Sequence, residues 1–198
     1  MQAIGLFPTP FLTADPELDT LAYTELSEQL EQQQPEGRRP GGWQGSVLAD
    51  PCELITTLVD RIETLSNDVT RDLWGITSDL ECRVVRGWCT RNAEPEPIHN
   101  NWSHLHPGAF MAWVYYAHIP PGSGDLVLEP PHKFLDYALP ADQHITETNA
   151  WNAQRHHYTP REGELIGFPG WISHAAQPNT ASTTRVSFAF NTELVTRS

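Results

Sequence analysis

A succession of short apolar segments in the second part of the chain is the feature that most restricts its fold. From residue 73 onward, runs of about four to ten residues are bounded by glycine, proline, asparagine or aspartate: LWGI, ECRVVRGWC, FMAWVYYAHI, DLVLE, ELIGF and RVSFAFN. Segments of this length, with no ten-residue helix between them, are typical of antiparallel strands. They favour a mainly β sandwich or jelly roll over a parallel α/β sheet.

The first part of the chain has helical periodicity instead. Leucines recur every three to five residues between residues 15 and 34, and glutamate and glutamine fill the gaps. A second apolar stripe predicts a helix over Pro51–Leu65, with Asp50 as its N-cap, proline at its first position and Glu53 completing a capping box. The intervening residues 35–45, PEGRRPGGWQG, are predicted to form a loop.

The length of 198 residues is enough for one domain to bury a full core, so we expect a single domain over residues 1–198. Residues 1–70 would form a helical and edge region, in which residues 4–12 are a proline-interrupted edge strand. Residues 73–193 would form the β core. The polar, weakly periodic segment 131–159 predicts a long loop inserted in that core.

The formal charge of −13 argues against binding to nucleic acid or to an anionic membrane surface. An anionic substrate would have to meet locally positive side chains. Three cysteines, with no CxxC pair, do not suggest a disulfide framework. The N-terminal stretch lacks a basic start and a long apolar run, and no segment approaches 18 apolar residues. These features predict a soluble, cytoplasmic protein, and a homo-oligomer is compatible with them.

Three histidines suggest a metal site. His104 and His106 are two residues apart in WSHLHPGAFMAWVYY, so on a strand both imidazoles would point to the same face. His174 follows an apolar segment in FPGWISHAAQPN. Imidazole is a good ligand for first-row transition metals, and a jelly roll can bring three such residues together. The alternative is that the HxH pair consists of surface or capping histidines.

An arginine in an otherwise apolar strand suggests a second binding group. In RVSFAFN, the residues Arg185, Ser187, Ala189 and Asn191 share one face. A buried guanidinium needs a partner, and a ligand carboxylate held jointly with the Ser187 hydroxyl is one that fits. The alternatives are an exposed Arg185 at the start of the strand, or a pair with a protein glutamate.

Four motifs taken in order resemble the small 2-oxoglutarate/Fe(II) oxygenases of bacteria and phages. They are HLHPGAFMAWVYY, PPGSGDLVLEPP, EGELIGFPGWISHAAQPN and RVSFAFN. In that family a His-x-His-Pro stretch leads into a Ser-Gly-Val-Tyr-Tyr-like strand, and an FPxWxxH segment precedes RxSxxFN. The resemblance covers nearly all of residues 84–193, and the opening GLFPTPF is also similar to the family's start.

The resemblance implies a double-stranded β-helix, a cupin-like jelly roll with helices packed on one sheet. It implies that His174 is the distal iron ligand and that Arg185 with Ser187 binds the far carboxylate of 2-oxoglutarate. Tyr116 is a further candidate for a hydrogen bond to 2-oxoglutarate, or else a core aromatic residue. The activity implied is an oxidation that uses Fe(II), O2 and 2-oxoglutarate, yields succinate, and hydroxylates an unactivated C–H bond of a small molecule, amino acid or peptide.

The chain departs from the wider superfamily at His106, where a carboxylate is usual. His106 could itself be a metal ligand, which we favour. It could instead lie outside the coordination sphere and leave a position that a halide would occupy, or Asp125 or Glu129 could supply the carboxylate. The family's Ser-Gly pair is Ala112-Trp113 here, which suggests a diverged substrate pocket edged by Trp113, the 131–159 loop and Trp171.

Two other functions also fit these residues. A cupin-type three-histidine dioxygenase or isomerase would need no 2-oxoglutarate, and a deeply placed Arg185 beside the metal would argue against it. A non-catalytic jelly-roll binding protein would retain no metal. Among weaker candidates, Asn100 and Trp102 would line the pocket, whereas His156 and His157 are expected to be solvated residues of a loop.

Overall fold

The computed structural model describes residues 8–93, 103–131, 146–147, 149 and 151–197. These residues contain two α-helices, a short 3-10 helix and ten strands. In chain order they are β1 (Leu12–Ala14), α1 (Thr20–Gln33), the 3-10 helix (Pro35–Gly37), β2 (Arg38–Arg39), β3 (Gly42–Ser46), α2 (Glu53–Trp74), β4 (Leu80–Asn92), β5 (Met111–His118), β6 (Leu126–Leu128), β7 (His156–Tyr158), β8 (Leu165–Pro169), β9 (His174–Ala176) and β10 (Arg185–Thr196).

The strands form two antiparallel sheets. The large sheet has the order β1-β8-β5-β10-β4-β3-β2, and the small sheet has the order β7-β6-β9. Apolar residues of β6, Leu126 and Leu128, pack against Ile166 and Phe168 of the large sheet, so the small sheet covers one of its faces. This jelly-roll arrangement confirms the predicted mainly β fold class.

The helices pack on the opposite face of the large sheet. Phe188 and Phe190 of β10 are fully buried in a cluster with Ile55, Leu58 and Ile62 of α2. The alternation of β10 places these apolar residues toward the helices and leaves the intervening side chains facing the small sheet. One strand therefore contributes to the core and to the space between the sheets.

Helix α2 is longer than the apolar periodicity predicts. It starts at Glu53 with Cys52 as its N-cap and no side-chain cap, so the predicted cap at Asp50 is wrong. It continues past the predicted end to Trp74, and LWGI is therefore its last turn and exit rather than a strand. Gly75 ends it in the left-handed conformation, with φ of 60°, which glycine adopts without strain.

Helix α1 starts later than expected, and an aspartate caps it. The Asp19 carboxylate accepts hydrogen bonds from the backbone N–H groups of Leu21 and Ala22, and the first helical residue is Thr20. The Tyr23 hydroxyl donates to the Leu54 carbonyl oxygen at 2.6 Å, which joins α1 to α2.

The segment predicted as a loop over residues 35–45 is a 3-10 turn followed by the hairpin β2–β3. Strand β3 pairs with β4 along five positions, so a long-range partner stabilises a stretch of low strand propensity. Trp43 is fully buried and its indole N–H donates to the Gln34 carbonyl oxygen at 2.7 Å.

Two other predicted segments lie partly outside the described residues. One is the predicted edge strand over residues 4–12, because residues 1–7 are not described. The strand observed nearby, β1, pairs with β8. Of the predicted 131–159 loop, residues 132–145, 148 and 150 lie outside. The end of that segment forms β7, so His156 and His157 are exposed as expected but lie on a strand that pairs with β6. Neither helix of the described chain is long and apolar enough to cross a membrane.

Candidate metal centre and cavity

Three imidazoles meet between the two sheets. His104, His106 and His174 each present a ring nitrogen, and these three atoms lie within 4.8 Å of one another. The ring centroids are 4.5 Å apart for His104 and His174, 5.0 Å for His106 and His174, and 5.2 Å for His104 and His106. A first-row metal ion binds imidazole nitrogen at about 2.0–2.1 Å, so small side-chain rotations would bring the three nitrogens onto one ion.

The backbone holds the histidines together, but not in the way the spacing suggests. His104 forms only an isolated bridge with His174, and His106 lies in no strand, so the predicted strand over the HxH pair is wrong. His104 N–H donates to the His174 carbonyl at 2.9 Å, and His174 N–H donates back at 2.8 Å. His106 N–H donates to the Gly170 carbonyl at 2.9 Å, which anchors the second imidazole to the turn after β8.

His174 has its ring tautomer set by a hydrogen bond. Its Nδ1 lies 2.9 Å from the Ile172 carbonyl oxygen, which can only accept, so Nδ1 carries the proton and Nε2 keeps its lone pair. Burial lowers the pKa of His174 to about 4, and burial together with the neighbouring His104 and Arg86 lowers the pKa of His106 to about 4. Both rings are therefore neutral near pH 7 and able to bind a metal.

The two carboxylates considered as alternatives are not part of this cluster. The Asp125 carboxylate accepts from the Thr159 hydroxyl at 2.7 Å, and the Glu129 carboxylate accepts from the Ser173 hydroxyl at 3.1 Å. Among the described residues, only the three histidines form a group of this kind. The donor set is thus three imidazoles, which suits Fe, Zn, Cu or Ni.

A cavity of about 230 Å³ runs from the histidines along the large sheet. Side chains from both sheets line it, and the predicted binding residues are among them: His104, His106, His174, Tyr116, Arg185 and Ser187. Burial raises the pKa of Tyr116, so its phenol stays protonated and can donate a hydrogen bond. The structure therefore brings all six of the predicted site residues to one cavity.

Arg185 is buried, with 5 % of its surface exposed, and donates hydrogen bonds to three described residues. Its Nη1 donates to the carbonyl oxygens of Ser123 at 2.6 Å and Gln177 at 3.0 Å, and its Nη2 donates to Asn92 Oδ1 at 3.1 Å. The expected alternative of an exposed arginine is therefore wrong. These three bonds orient the guanidinium within the cavity wall.

Of the two tryptophans predicted to edge the pocket, Trp113 lines the cavity and Trp171 does not. The Trp113 ring packs under Gly167, where a Cβ would lie 2.5 Å from it, and its indole N–H donates to the Ser66 hydroxyl of α2 at 2.8 Å. Trp113 thus belongs mainly to the helix-facing core. Trp171 is 47 % exposed and packs against Trp74 and Phe110 outside the cavity lining.

The sequence analysis did not identify several cavity residues, because only the pairing register of the strands shows that they face the cavity. Trp88, Thr90 and Asn92 alternate along β4, opposite Ala189, Ser187 and Arg185 of β10. The β4 sequence alone does not show which parity faces the cavity. The candidates Asn100 and Trp102 lie outside the described residues.

The sequence matches the model of a family described as "Putative 2OG-Fe(II) oxygenase" over residues 87–191, which is more than half of the chain. The chain belongs to this family of 2-oxoglutarate/Fe(II) oxygenases. The match includes all three histidines and the arginine of the cavity. No curated protein sequence matches the chain significantly.

Several solved structures share the fold at low sequence identity. The carbocyclase SnoK from nogalamycin biosynthesis, described as non-heme and α-ketoglutarate dependent, superposes with a TM-score of 0.65 at 15 % identity, covering 96 % of this chain and 82 % of its own. HygX from Streptomyces hygroscopicus, with nickel and 2-oxoglutarate bound, has a TM-score of 0.61 at 11 % identity, with coverages of 93 % and 82 %. A Pseudomonas putida prolyl-4-hydroxylase has a TM-score of 0.58 at 14 % identity and coverages of 93 % and 93 %.

Proposed function

We propose that the protein is an Fe(II)- and 2-oxoglutarate-dependent oxygenase that hydroxylates an unactivated C–H bond, with His104, His106 and His174 as the metal ligands. The observation that carries the proposal is that a convergent imidazole trio and a buried, positively charged Arg185 line one cavity. A metal alone would explain the histidines. Arg185 places a positive charge in the same space, where a carboxylate of a dicarboxylate cosubstrate would bind.

Residues at different positions along the cavity would have different binding roles. The three imidazoles would hold the metal, with His174 oriented by its bond to the Ile172 carbonyl. Arg185, with Ser187 and Tyr116 beside it, would bind the far carboxylate of 2-oxoglutarate through N–H and O–H donors. Bound iron supplies oxygen activation coupled to decarboxylation of 2-oxoglutarate to succinate. The apolar wall formed by Phe168 and Leu126 limits the water that reaches this space.

The substrate class is a small molecule, an amino acid or a peptide. Structural neighbours include a prolyl-4-hydroxylase and HygX with hygromycin B bound, which supports considering both peptides and small molecules. A three-imidazole set leaves fewer vacant positions than a two-imidazole set, so hydroxylation is favoured over halogenation. Changing His106 to Ala tests this point, because a ligand role requires weaker iron binding, whereas full activity of the variant would remove His106 from the coordination sphere.

The test is an anaerobic titration of the purified protein with Fe(II) and then 2-oxoglutarate. We expect a weak visible charge-transfer band that appears only when both are present, and succinate after oxygen is admitted. The cupin-type alternative predicts iron binding without the band, and the binding-protein alternative predicts no retained metal. Either of those results would overturn the proposal.

A further inference from the structure

One arginine near the metal site has no carboxylate partner among the described residues. The ion-paired arginines of the described chain are Arg71, Arg83, Arg91, Arg155, Arg161 and Arg197. Arg86 is exposed and pairs with no carboxylate of the described residues. The formal charge of −13 repels anions from the molecule as a whole, so a local cation such as Arg86 is where an anionic group can bind.

The strand register places Arg86 on the cavity face of the large sheet. Trp88, Thr90 and Asn92 of β4 line the cavity, and Arg86 is the preceding residue of the same parity. The bulge in the pairing of β4 with β10 lies beyond the pair of Arg86 and Asn191, so the alternation is regular from Arg86 to Asn92. The pairing of β3 with β4 ends at Trp88, and Arg86 lies just past that end.

Arg86 is also close to the metal ligands. The ring of Trp88, the next residue on the same face, lies 5.7 Å from the His106 ring, measured between centroids. Burial, His104 and then the positive charge of Arg86 lower the pKa of His106, so Arg86 acts on that imidazole through space. A molecule bound by Arg86 would therefore lie near a bound metal.

This position is distinct from the one proposed for the far carboxylate of 2-oxoglutarate. Arg185 of β10 pairs with Asn92, whereas Arg86 pairs with Asn191, six residues further along β10. Six residues of a strand span roughly 20 Å. One molecule of 2-oxoglutarate held by the metal and Arg185 is too short to reach Arg86 as well, so Arg86 would bind a different molecule.

We propose that the primary substrate carries a carboxylate that binds Arg86, with the adjoining apolar part of the substrate packed on Trp88. This inference rests on the proposed function and narrows its substrate class to carboxylic acids. The guanidinium offers paired N–H donors that match a carboxylate, and the Trp88 ring offers an apolar surface between that group and the metal ligands. Two arginines would thus bind two different acids, Arg185 the cosubstrate and Arg86 the substrate.

The test uses two probes of similar shape and different charge, benzoate and benzamide. The protein is loaded with Mn(II) in place of iron and saturated with 2-oxoglutarate, which keeps benzoate away from Arg185. Titrations followed by NMR measure how strongly the paramagnetic metal relaxes the probe protons, so they report only molecules bound near the metal. We expect benzoate to bind about fivefold more tightly than benzamide, because a charge-assisted bond at an exposed position is modest.

Variants separate the charge from the apolar surface. Arg86→Gln should remove the preference for benzoate, and Arg86→Lys should keep part of it, because lysine retains the charge without the paired donors. Arg61→Gln is the matched control, since it removes one positive charge from an exposed position on α2 and should leave both probes bound as in the wild type. Trp88→Leu should weaken both probes by a similar factor.

A structural role for Arg86 would give different results. Because the side chain is exposed, Arg86→Gln should melt within a degree or two of the wild type and bind 2-oxoglutarate with wild-type affinity in the visible-band titration. Weaker 2-oxoglutarate binding by this variant would overturn the inference, because it would assign Arg86 to the cosubstrate.

Equal binding of the two probes by the wild-type protein would overturn the inference and leave the proposed function intact. A benzoate preference that persists in Arg86→Gln, or one that Arg61→Gln also removes, would overturn it as well. Loss of benzoate binding alone in Trp88→Leu would contradict the role of the indole. Failure of the wild-type protein to bind the metal and 2-oxoglutarate would instead refute the proposed function.

Discussion

The two faces of the large sheet differ in the side chains they present, which are apolar on the helix-facing side and include several polar groups on the cavity side. On the helix-facing side, Phe188 and Phe190 are completely buried and pack against apolar residues of α1 and α2. On the cavity side, the same strand presents Arg185, Ser187 and Asn191, a row of polar groups beside a space. Burial of the first face stabilises the folded protein by excluding water from apolar side chains, whereas the second face holds polar groups at a cavity where a ligand would bind.

This difference means that stability and ligand binding should respond to different residues of one strand. Substitutions on the helix-facing side should lower the free energy of unfolding and leave ligand affinity in the surviving folded protein unchanged. Substitutions on the cavity side should do the reverse. Arg185 is the exception, because it lines the cavity and is also bonded to three protein oxygens.

The largest effect is expected at the metal. His174→Ala removes the most buried imidazole of the trio, so iron binding should be abolished in an anaerobic titration with elemental analysis. His118→Ala is the matched control, because His118 pairs with Glu162 outside the cavity. Iron retention by the His174 variant at the wild-type level would show that the trio is not the metal site.

Phe188→Ala tests the helix-facing side. The side chain is fully buried and stacks edge-on against Tyr23, so its loss should lower the free energy of unfolding by about 3–5 kcal/mol in a denaturant titration. The affinity of the folded protein for 2-oxoglutarate should not change. A loss of affinity without a loss of stability would break the division between the two faces.

Arg185→Ala should affect both properties. The charge that binds the far carboxylate is lost, and the acceptors on Ser123, Gln177 and Asn92 lose a donor. We expect 2-oxoglutarate affinity to fall about 100-fold with iron still bound, and stability to fall by about 2–4 kcal/mol. Unchanged cosubstrate affinity, measured through the visible band, would contradict the assignment of this arginine.

Ser187→Ala is the counterpart of Phe188→Ala at the adjacent residue. It removes a hydroxyl from the cavity side, so 2-oxoglutarate affinity should fall by about 1 kcal/mol, roughly fivefold, and the melting temperature should stay within a degree or two. A melting temperature lowered as far as in Phe188→Ala would show that both faces serve stability equally.

A further effect concerns pH and the metal-free protein. The pKa of His174 is lowered to about 4 in the folded state, chiefly by burial, against an ordinary value near 6.5. Between these values the unfolded chain binds more protons, so the stability present above pH 6.5 should decline as the pH falls toward 4. Thermal melts across this range should show a flatter pH dependence for His174→Leu, and equal slopes would contradict the assigned pKa.

Much of this site could be predicted because its residues lie on a regular strand. In RVSFAFN, alternation alone separates Arg185, Ser187 and Asn191 from the phenylalanines, and the structure keeps that separation. The HxH pair was predicted for a partly wrong reason, because the two imidazoles converge without lying on a strand. Reciprocal backbone bonds between His104 and His174, about 70 residues apart in the chain, and the bond from His106 to Gly170 bring them together instead.

Other features depend on contacts that local sequence does not encode. Helix α2 runs beyond Leu65 through Ser66 and Thr70, which are weak helix formers but are buried and bonded, the first to the Trp113 indole and the second back to the helix. Strand β3 forms in a glycine-rich stretch because its backbone pairs with that of β4. In both cases a distant partner outweighs the local preference.

The sequence by itself determined the order of the apolar segments, the alternation along β10 and the residue types able to bind a metal and a carboxylate. These follow from side-chain chemistry and from strand geometry, which are local. The tertiary structure decided which imidazoles converge, that Asn92 orients Arg185, and that none of the described residues donates to the Asn191 oxygen. Such outcomes depend on pairing between segments far apart in the chain, and that pairing is set by packing of the whole molecule.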